Sequence, residues 1–291
     1  MMDSFHSLLF AAQPKGLFSD QDLELIESLK DQPARFIFSQ LRSELRQQLT
    51  ELEWERSWEK VVKASERDGL WTESRFCEDY PDALRNLTRP PLLLTVLGEP
   101  VWKKHRLINV VGTRNPGRSS TRWMSFHLTS FLRQSDFTVV SGGARGVDQW
   151  AHRVSLSVGR GTLSVVPSGL MNLYPSSLQD LAPEIIQGGG ALMSIYPVQQ
   201  PMKKFFFHQR NHLLAALGEA TLVIEAGIKS GTLLTAKHCA DLGRDLFCLP
   251  FSPWEERGAG NNHLLRAEGA RAVMNDYDLM EDFLGQVRLK F

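Results

Sequence analysis

Chemistry in this sequence gathers at four glycine-bearing turns, each following a short apolar run. Gly112-Thr113-Arg114-Asn115-Pro116 follows RLINVV, and Ala144-Arg145-Gly146-Val147-Asp148 follows FTVVSGG with its pair Gly142 and Gly143. Ser168-Gly169-Leu170 follows GTLSVVP, and Lys229-Ser230-Gly231-Thr232 follows ATLVIEAG. Glycine lets backbone N–H groups close on a phosphate, and a helix starting just afterwards adds a favourable dipole. Arg114 and Arg145 add charge in the forked geometry that suits phosphate oxygens. A single such loop needs its glycine only to turn the chain. Several on one edge favour phosphate binding.

A different pattern occupies residues 201–212, PMKKFFFHQRNH. Lys203, Lys204, His208 and Arg210 are interleaved with Phe205, Phe206 and Phe207. Charge that follows a backbone and rings that stack on bases suit single-stranded nucleic acid. The competing reading buries the phenylalanines and leaves the lysines as flanks. Three adjacent phenylalanines cannot all face one way, so at least one is expected to remain accessible.

Other chemistry is poorly supported. Gly112 is not followed by a second glycine two positions on, so the dinucleotide fingerprint is missing, and no GxxxxGK[ST] occurs. His127, His152, His208, His212, His238 and His263 are isolated, without ligand spacing, and no metal or cofactor is expected. Ser168 lacks the GxSxG frame of a hydrolase elbow. Asp148 reads as a first-turn acid that aids a helix dipole rather than as a general base.

These turns must be held by elements, and the apolar pattern supplies them. RLINVVG, FTVVSGG, GTLSVVPSG, ALMSIYP, ATLVIEAG and DLFCLP read as strands buried on both faces. Helical stretches are expected over 119–134, 147–158, 176–187, 211–217 and 231–241. Alternating strand and helix predicts a doubly wound, mostly parallel α/β sheet, with its core over about 102–285. Ligands on such sheets bind beyond the C-terminal strand ends, where the turns named above lie. Residues 19–67 read as helical, opened by Ser19 and Asp22 and divided by Pro33, within a small helical domain. A further strand is expected over Leu92–Leu97. The division adopted is 1–77 for the helical domain and 78–291 for the α/β domain.

Composition agrees with a globular chain: 42% hydrophobic and 23% charged residues exclude disorder throughout. Three scattered cysteines and no CxxC argue against a disulfide framework and for a reducing, cytoplasmic compartment. No run is long enough to span a bilayer, and MMDSFHSLLFAAQPKG lacks the features of a signal peptide. The net charge of zero hides an asymmetry. Residues 101–210 hold 13 Lys and Arg against 4 Asp and Glu, whereas residues 1–80 hold 10 against 16. A polyanion would be drawn to the first of these stretches.

VVGTRNP, SGGARGVDQWAH, the stretch Pro167 to Pro175, FHQRNHLLAAL, VIEAGIKSGTLLTA and GNNHLLRAEGA together resemble the DNA-processing protein A family, also called DprA or Smf. YPDALRNLTRPPLLLTVLGE resembles that family's lead-in, and the resemblance covers about residues 78–275. It implies an extended Rossmann-like domain that binds single-stranded DNA and forms a homodimer. It further implies protection of incoming strands in natural transformation and help in loading the recombinase RecA. Carried over by position, the DNA pocket would use Gly112, Arg114, Arg145, Lys204, Phe207 and Arg210, with Gly142 and Gly143 as backbone donors. DLFCLPF is a candidate for the dimer contact, with core packing as its competing role.

The chain departs from the family pattern where Arg210-Asn211-His212 replaces the frequent RNR. The N-terminal helices would correspond to a SAM-like domain, although no helix-hairpin-helix glycine signature is present. No C-terminal winged helix is expected. An enzyme alternative comes from VIEAGIKSGTLLTA, which resembles the PGGxGTxxE motif of nucleoside-monophosphate phosphoribohydrolases. There a glutamate acts on the glycosidic bond. Thr235 stands at that position here and cannot act as a carboxylate base, so binding without catalysis is expected.

Overall fold

The computed structural model describes Leu9, residues 18–51 and residues 69–285. The expected helix over residues 52–67 and nearly all of the N-terminal stretch lie outside these residues. The chain divides into two compact units.

One unit contains the residues up to Leu97, together with 168–172 and 194–201. Its first helix, α1 (Asp20–Ser28), is opened by a capping box in which Ser19 and Asp22 each accept the other's backbone N–H. Helices α2 (Ala34–Gln40) and α3 (Ser43–Glu51) follow Pro33. Ile37, Leu41, Leu45 and Leu49, four residues apart, are all buried. Strand β1 (Leu70–Ser74) pairs antiparallel with β2 (Leu93–Gly98), Leu70 opposite Leu97 and Ser74 opposite Leu93. Only β2 is legible in the sequence. LWTES buries Thr72, Glu73 and Ser74 as well as Leu70, so it carries no apolar run. A short helix, α4 (Asp82–Arg85), lies between the two strands.

The other unit holds the expected sheet. Its strands are β3 (Arg106–Val111), β4 (Phe137–Ser141), β5 (Leu163–Val165), β6 (Ala191–Ser194), β7 (Ala220–Val223), β8 (Asp245–Cys248) and β9 (Arg271–Ala272). All neighbours pair parallel, in the order β6-β5-β4-β3-β7-β8-β9. The chain winds from β3 outward to β6, then returns beside β3 and winds the other way. The order therefore reverses at β3, which β4 and β7 flank.

Helices cover both faces. Helix α5 (Arg118–Trp123) continues through a π turn (Met124–Leu128) into α6 (Thr129–Gln134). With α7 (Val147–Ser157) and α12 (Asp276–Leu284), it encloses a core containing Ile108, Val110, Val139, Leu222, Phe131, Ala151 and Leu279. On the opposite face, α9 (Phe206–Leu217), α10 (Thr232–Asp241) and α11 (Ala259–Ala267) enclose Val111, Val223, Cys239, Cys248 and Leu264. Successive strand residues thus go to opposite cores, which is why the strands read as unbroken apolar runs. Helix α8 (Ser176–Gln187) follows β5 and buries Leu178, Leu181 and Ile185.

The bounds of one helix and one strand carry information. Helix α9 begins at Phe206, five residues before the sequence expectation, because buried Arg210 fills a core-facing position and interrupts the apolar period. DLFC is the interior strand β8, so Leu246, Phe247 and Cys248 belong to the core rather than to a contact between copies.

Candidate functional site

The reversal of strand order puts three turns side by side at the C-terminal ends of β3, β4 and β7. A recess of about 430 Å³ opens there, lined by Arg114, Gly142, Ala144, Arg145, Tyr174, Pro175, Ser176, Phe207 and Arg210. A second, of about 570 Å³, shares Arg114, Ala144, Phe207 and Arg210 and extends along Gly112, Asn211, Lys229 and Thr235. Three guanidinium groups and two aromatic rings therefore meet in the first recess.

Their geometry follows from local packing. The Tyr174 and Phe207 rings meet edge to face at 5.9 Å between centroids. The Arg210 guanidinium lies 5.6 Å from the centre of the Phe207 ring. Arg210 is only 6% exposed, and it reaches the recess by passing over Gly142. A Cβ at Gly142 would lie 1.6 Å from Arg210 Nη1, so only glycine admits the guanidinium. Gly146 has φ +82°, and a Cβ there would lie 2.4 Å from the Thr113 carbonyl oxygen. Glycine at this position allows the Arg145 turn to close against the Arg114 turn.

Asp148 organises the same turn from beneath. Its carboxylate, 4% exposed, accepts the Ala144 N–H at 3.2 Å and lies near the backbone of Gly142. Burial pushes its pKa up to about 6, against the opposing pull of Arg210 and these backbone groups. Gly142 lines the first recess, where its lack of a side chain makes room for the Arg210 guanidinium. Gly143 lines neither recess; it packs against Leu178 and Ser164, and its carbonyl accepts from Gln149 Nε2 at 3.1 Å. Lys204 is exposed one turn before Phe207 and lines neither recess. Arg114, Arg145, Phe207 and Arg210 are brought together, and Gly112 and Gly142 shape the floor. Of the three phenylalanines, Phe206 is buried, Phe205 is exposed and Phe207 is half-buried in the recess wall.

Two residues that hold the site were not singled out from the sequence. Glu225, buried at the end of β7, accepts the Gly117 N–H at 2.8 Å and the Ser120 hydroxyl at 2.6 Å. Its own carbonyl accepts the Thr113 N–H at 2.7 Å, so one residue grips both ends of the Arg114 turn. Asn261 donates to the Leu249 carbonyl at 2.8 Å and to those of Val223 and Ile224 at 3.2 Å, and accepts the Ala226 N–H at 2.7 Å. It ties the ends of β7 and β8 together. A buried polar residue in GNNHLL is the signal that could have located it.

His212 meets the His238 ring edge to face at 5.2 Å, and burial lowers its pKa, so it does not restore the basic position it replaces. Thr235 is buried on the wall of the second recess. Among the described residues, no group of three or more His, Cys, Asp or Glu is placed to hold a metal ion. No described helix is long and apolar enough to cross a membrane.

A parallel α/β sheet with a basic and aromatic recess at its switch point defines the class. The family described as DNA recombination-mediator protein A matches residues 73–284, and the chain belongs to that family. It is 35% identical over 215 residues to protein Smf of Synechocystis, covering 72% of this chain and 53% of that one. It is 29% identical over 224 residues to the DNA processing protein DprA of Bacillus subtilis, covering 77% and 74%. The chain thus spans about half the length of the Synechocystis relative. Among solved structures, it resembles DNA processing protein A from Streptococcus pneumoniae, with TM-score 0.77, 25% identity and 99% of each chain covered. It also resembles the Helicobacter pylori protein, whose structure is described as giving a single-stranded DNA binding mode. There the TM-score is 0.66 at 27% identity, over 77% of this chain and all of that one.

Proposed function

We propose that this protein binds single-stranded DNA without catalysis, with phosphates held by Arg114, Arg145 and Arg210 and a base stacked on Phe207. The observation that carries this reading is the convergence of those cations with the Tyr174–Phe207 pair in one recess. Stacking tolerates any sequence because every base has a ring face, and duplex bases are already stacked. Lys204 would contribute from the rim, as a longer-range attraction. The wider role is protection of incoming strands and help in loading RecA, by a cytoplasmic homodimer. Membership of a family described as DNA recombination mediators supports this role, and the description of the Helicobacter pylori structure supports the binding of single strands. Phosphoribohydrolase activity is disfavoured by Thr235, which offers no carboxylate.

Titration of single- and double-stranded oligonucleotides over a salt series tests the proposal. Tighter binding of the single strand is expected, and equal affinity at moderate salt refutes it. Arg114→Ala should weaken binding and lower the salt slope by about 0.7, one counterion's worth for a single strand. Phe207→Ala should cost about 1–3 kcal/mol of binding with the slope unchanged. Release of free base from nucleoside monophosphates would restore the enzyme reading.

A further inference from the structure

The recess absorbs few of the basic residues concentrated in 101–210. A group of them lies on α5 and α7, beside exposed aromatic rings. Arg118 opens α5 four residues after Arg114, and Arg118, Arg122 and Phe126 follow at intervals of four along one helix face. The Arg122 guanidinium lies 5.8 Å from the centre of the Phe126 ring. Phe126 is 64% exposed and sits in the π turn, a helix irregularity that recurs at functional sites. Trp150, 40% exposed on α7, donates its indole N–H to Ser125 Oγ at 3.3 Å, which holds a second ring against the π turn that carries Phe126. Arg153, also exposed, lies three residues further along α7.

Nearby acids are engaged elsewhere. Asp276 accepts from Ser130 at 2.6 Å and pairs with His127 at 2.8 Å, and Asp278 accepts the N–H groups of Met274 and Asn275. Among the described residues, no carboxylate forms an ion pair with Arg118, Arg122 or Arg153. Both helices start at the recess: α5 after the Arg114 turn and α7 after the Arg145 turn. From Arg118 to Phe126 the face runs about 12 Å.

We infer that this face is a second stretch of the single-strand track, continuing from the recess along α5. Arg118, Arg122 and Arg153 meet phosphates, and bases stack on Phe126 and Trp150. The inference rests on the DNA-binding reading above. Charge complementarity selects its occupant: unpaired arginines beside accessible rings fit a polyanion with π faces.

The test compares labelled oligothymidines of about 5 and about 20 nucleotides, the shorter filling the recess alone. The variants are Arg118→Gln/Arg122→Gln and Phe126→Ser, all at exposed positions, with thermal melts to confirm folding. The wild type should bind the longer strand more tightly. The double variant should lose about tenfold or more on it, with a salt slope lower by about 1.4. Phe126→Ser should lose roughly 5- to 150-fold with the slope unchanged. Both variants should bind the 5-mer as the wild type does. Unchanged affinity for the 20-mer overturns the inference, and a changed mass in solution with that result assigns the face to a protein contact. If the wild type binds neither strand, the DNA-binding reading itself falls.

Discussion

Asp148 is the residue with the most to reveal, because it is buried beside the cations it helps to arrange. Its folded pKa, about 6, exceeds the ordinary 3.8, so the folded state holds the proton to higher pH than the unfolded chain. The resulting stabilisation is complete below the unfolded pKa and is lost as pH rises through 6. A shift of this size corresponds to something on the order of 3 kcal/mol. From pH 4 to 8 the urea-unfolding stability of the wild type should decline relative to that of Asp148→Asn, which cannot ionise. The variant is the reference because buried His152, its pKa lowered to about 3, acts in the opposite sense in both proteins. An identical pH profile in the variant would remove Asp148 as the source of the decline. Gly142→Ala probes the same centre differently. The atom it meets is the end of a flexible side chain, so the chain should fold while the Arg210 guanidinium is displaced. DNA affinity should drop several-fold with the melting temperature nearly unchanged. Gly146→Ala meets backbone at positive φ, and should lower the melting temperature as well.

At the scale of elements, strand ends and turns are coupled through side chains that never touch the recess. Asn261, on α11, satisfies the ends of β7 and β8 together. Asn261→Ala removes four hydrogen bonds in the interior, of which only that to the Val223 carbonyl is backed by a second donor, the Leu249 N–H. It should cost about 2–4 kcal/mol, at roughly 1 kcal/mol for each hydrogen bond lost. Chemical denaturation measures this directly. Restoration of the lost stability by Asn261→Asp would show that an acceptor for Ala226 suffices. Glu225 plays the corresponding part for the Arg114 turn, which it grips through both its backbone and its side chain.

For the whole molecule, the homodimer proposed with the DNA-binding function predicts twice the chain mass at micromolar concentration by light scattering. A second copy doubles the recesses presented to one strand and raises avidity without new contacts. A strictly monomeric mass would refute it. The contact must be sought outside DLFCLPF, whose central residues are consumed by β8 and its two parallel neighbours.

Unbroken apolar runs separated by helix-period stretches determined the α/β class, because a strand buried on both faces has no polar side to display. Gly112, Arg114, Gly142 and Arg145 were legible as a group because they follow strands, whereas Phe207 and Arg210 came from the separate basic and aromatic stretch that α9 carries to the same recess. Tertiary structure decided the rest. It made β3 the switch point, since strand order is a property of the sheet and not of any segment. It created β1 from LWTES, where pairing with β2 overrides a weak local pattern. It buried Arg210 over Gly142, turned Asp148 onto the Ala144 N–H of its own turn, and sent Gly143 toward α8. A charged group's direction depends on which neighbours can desolvate or satisfy it, and for Arg210 the neighbour is Gly142, tens of residues away in the chain.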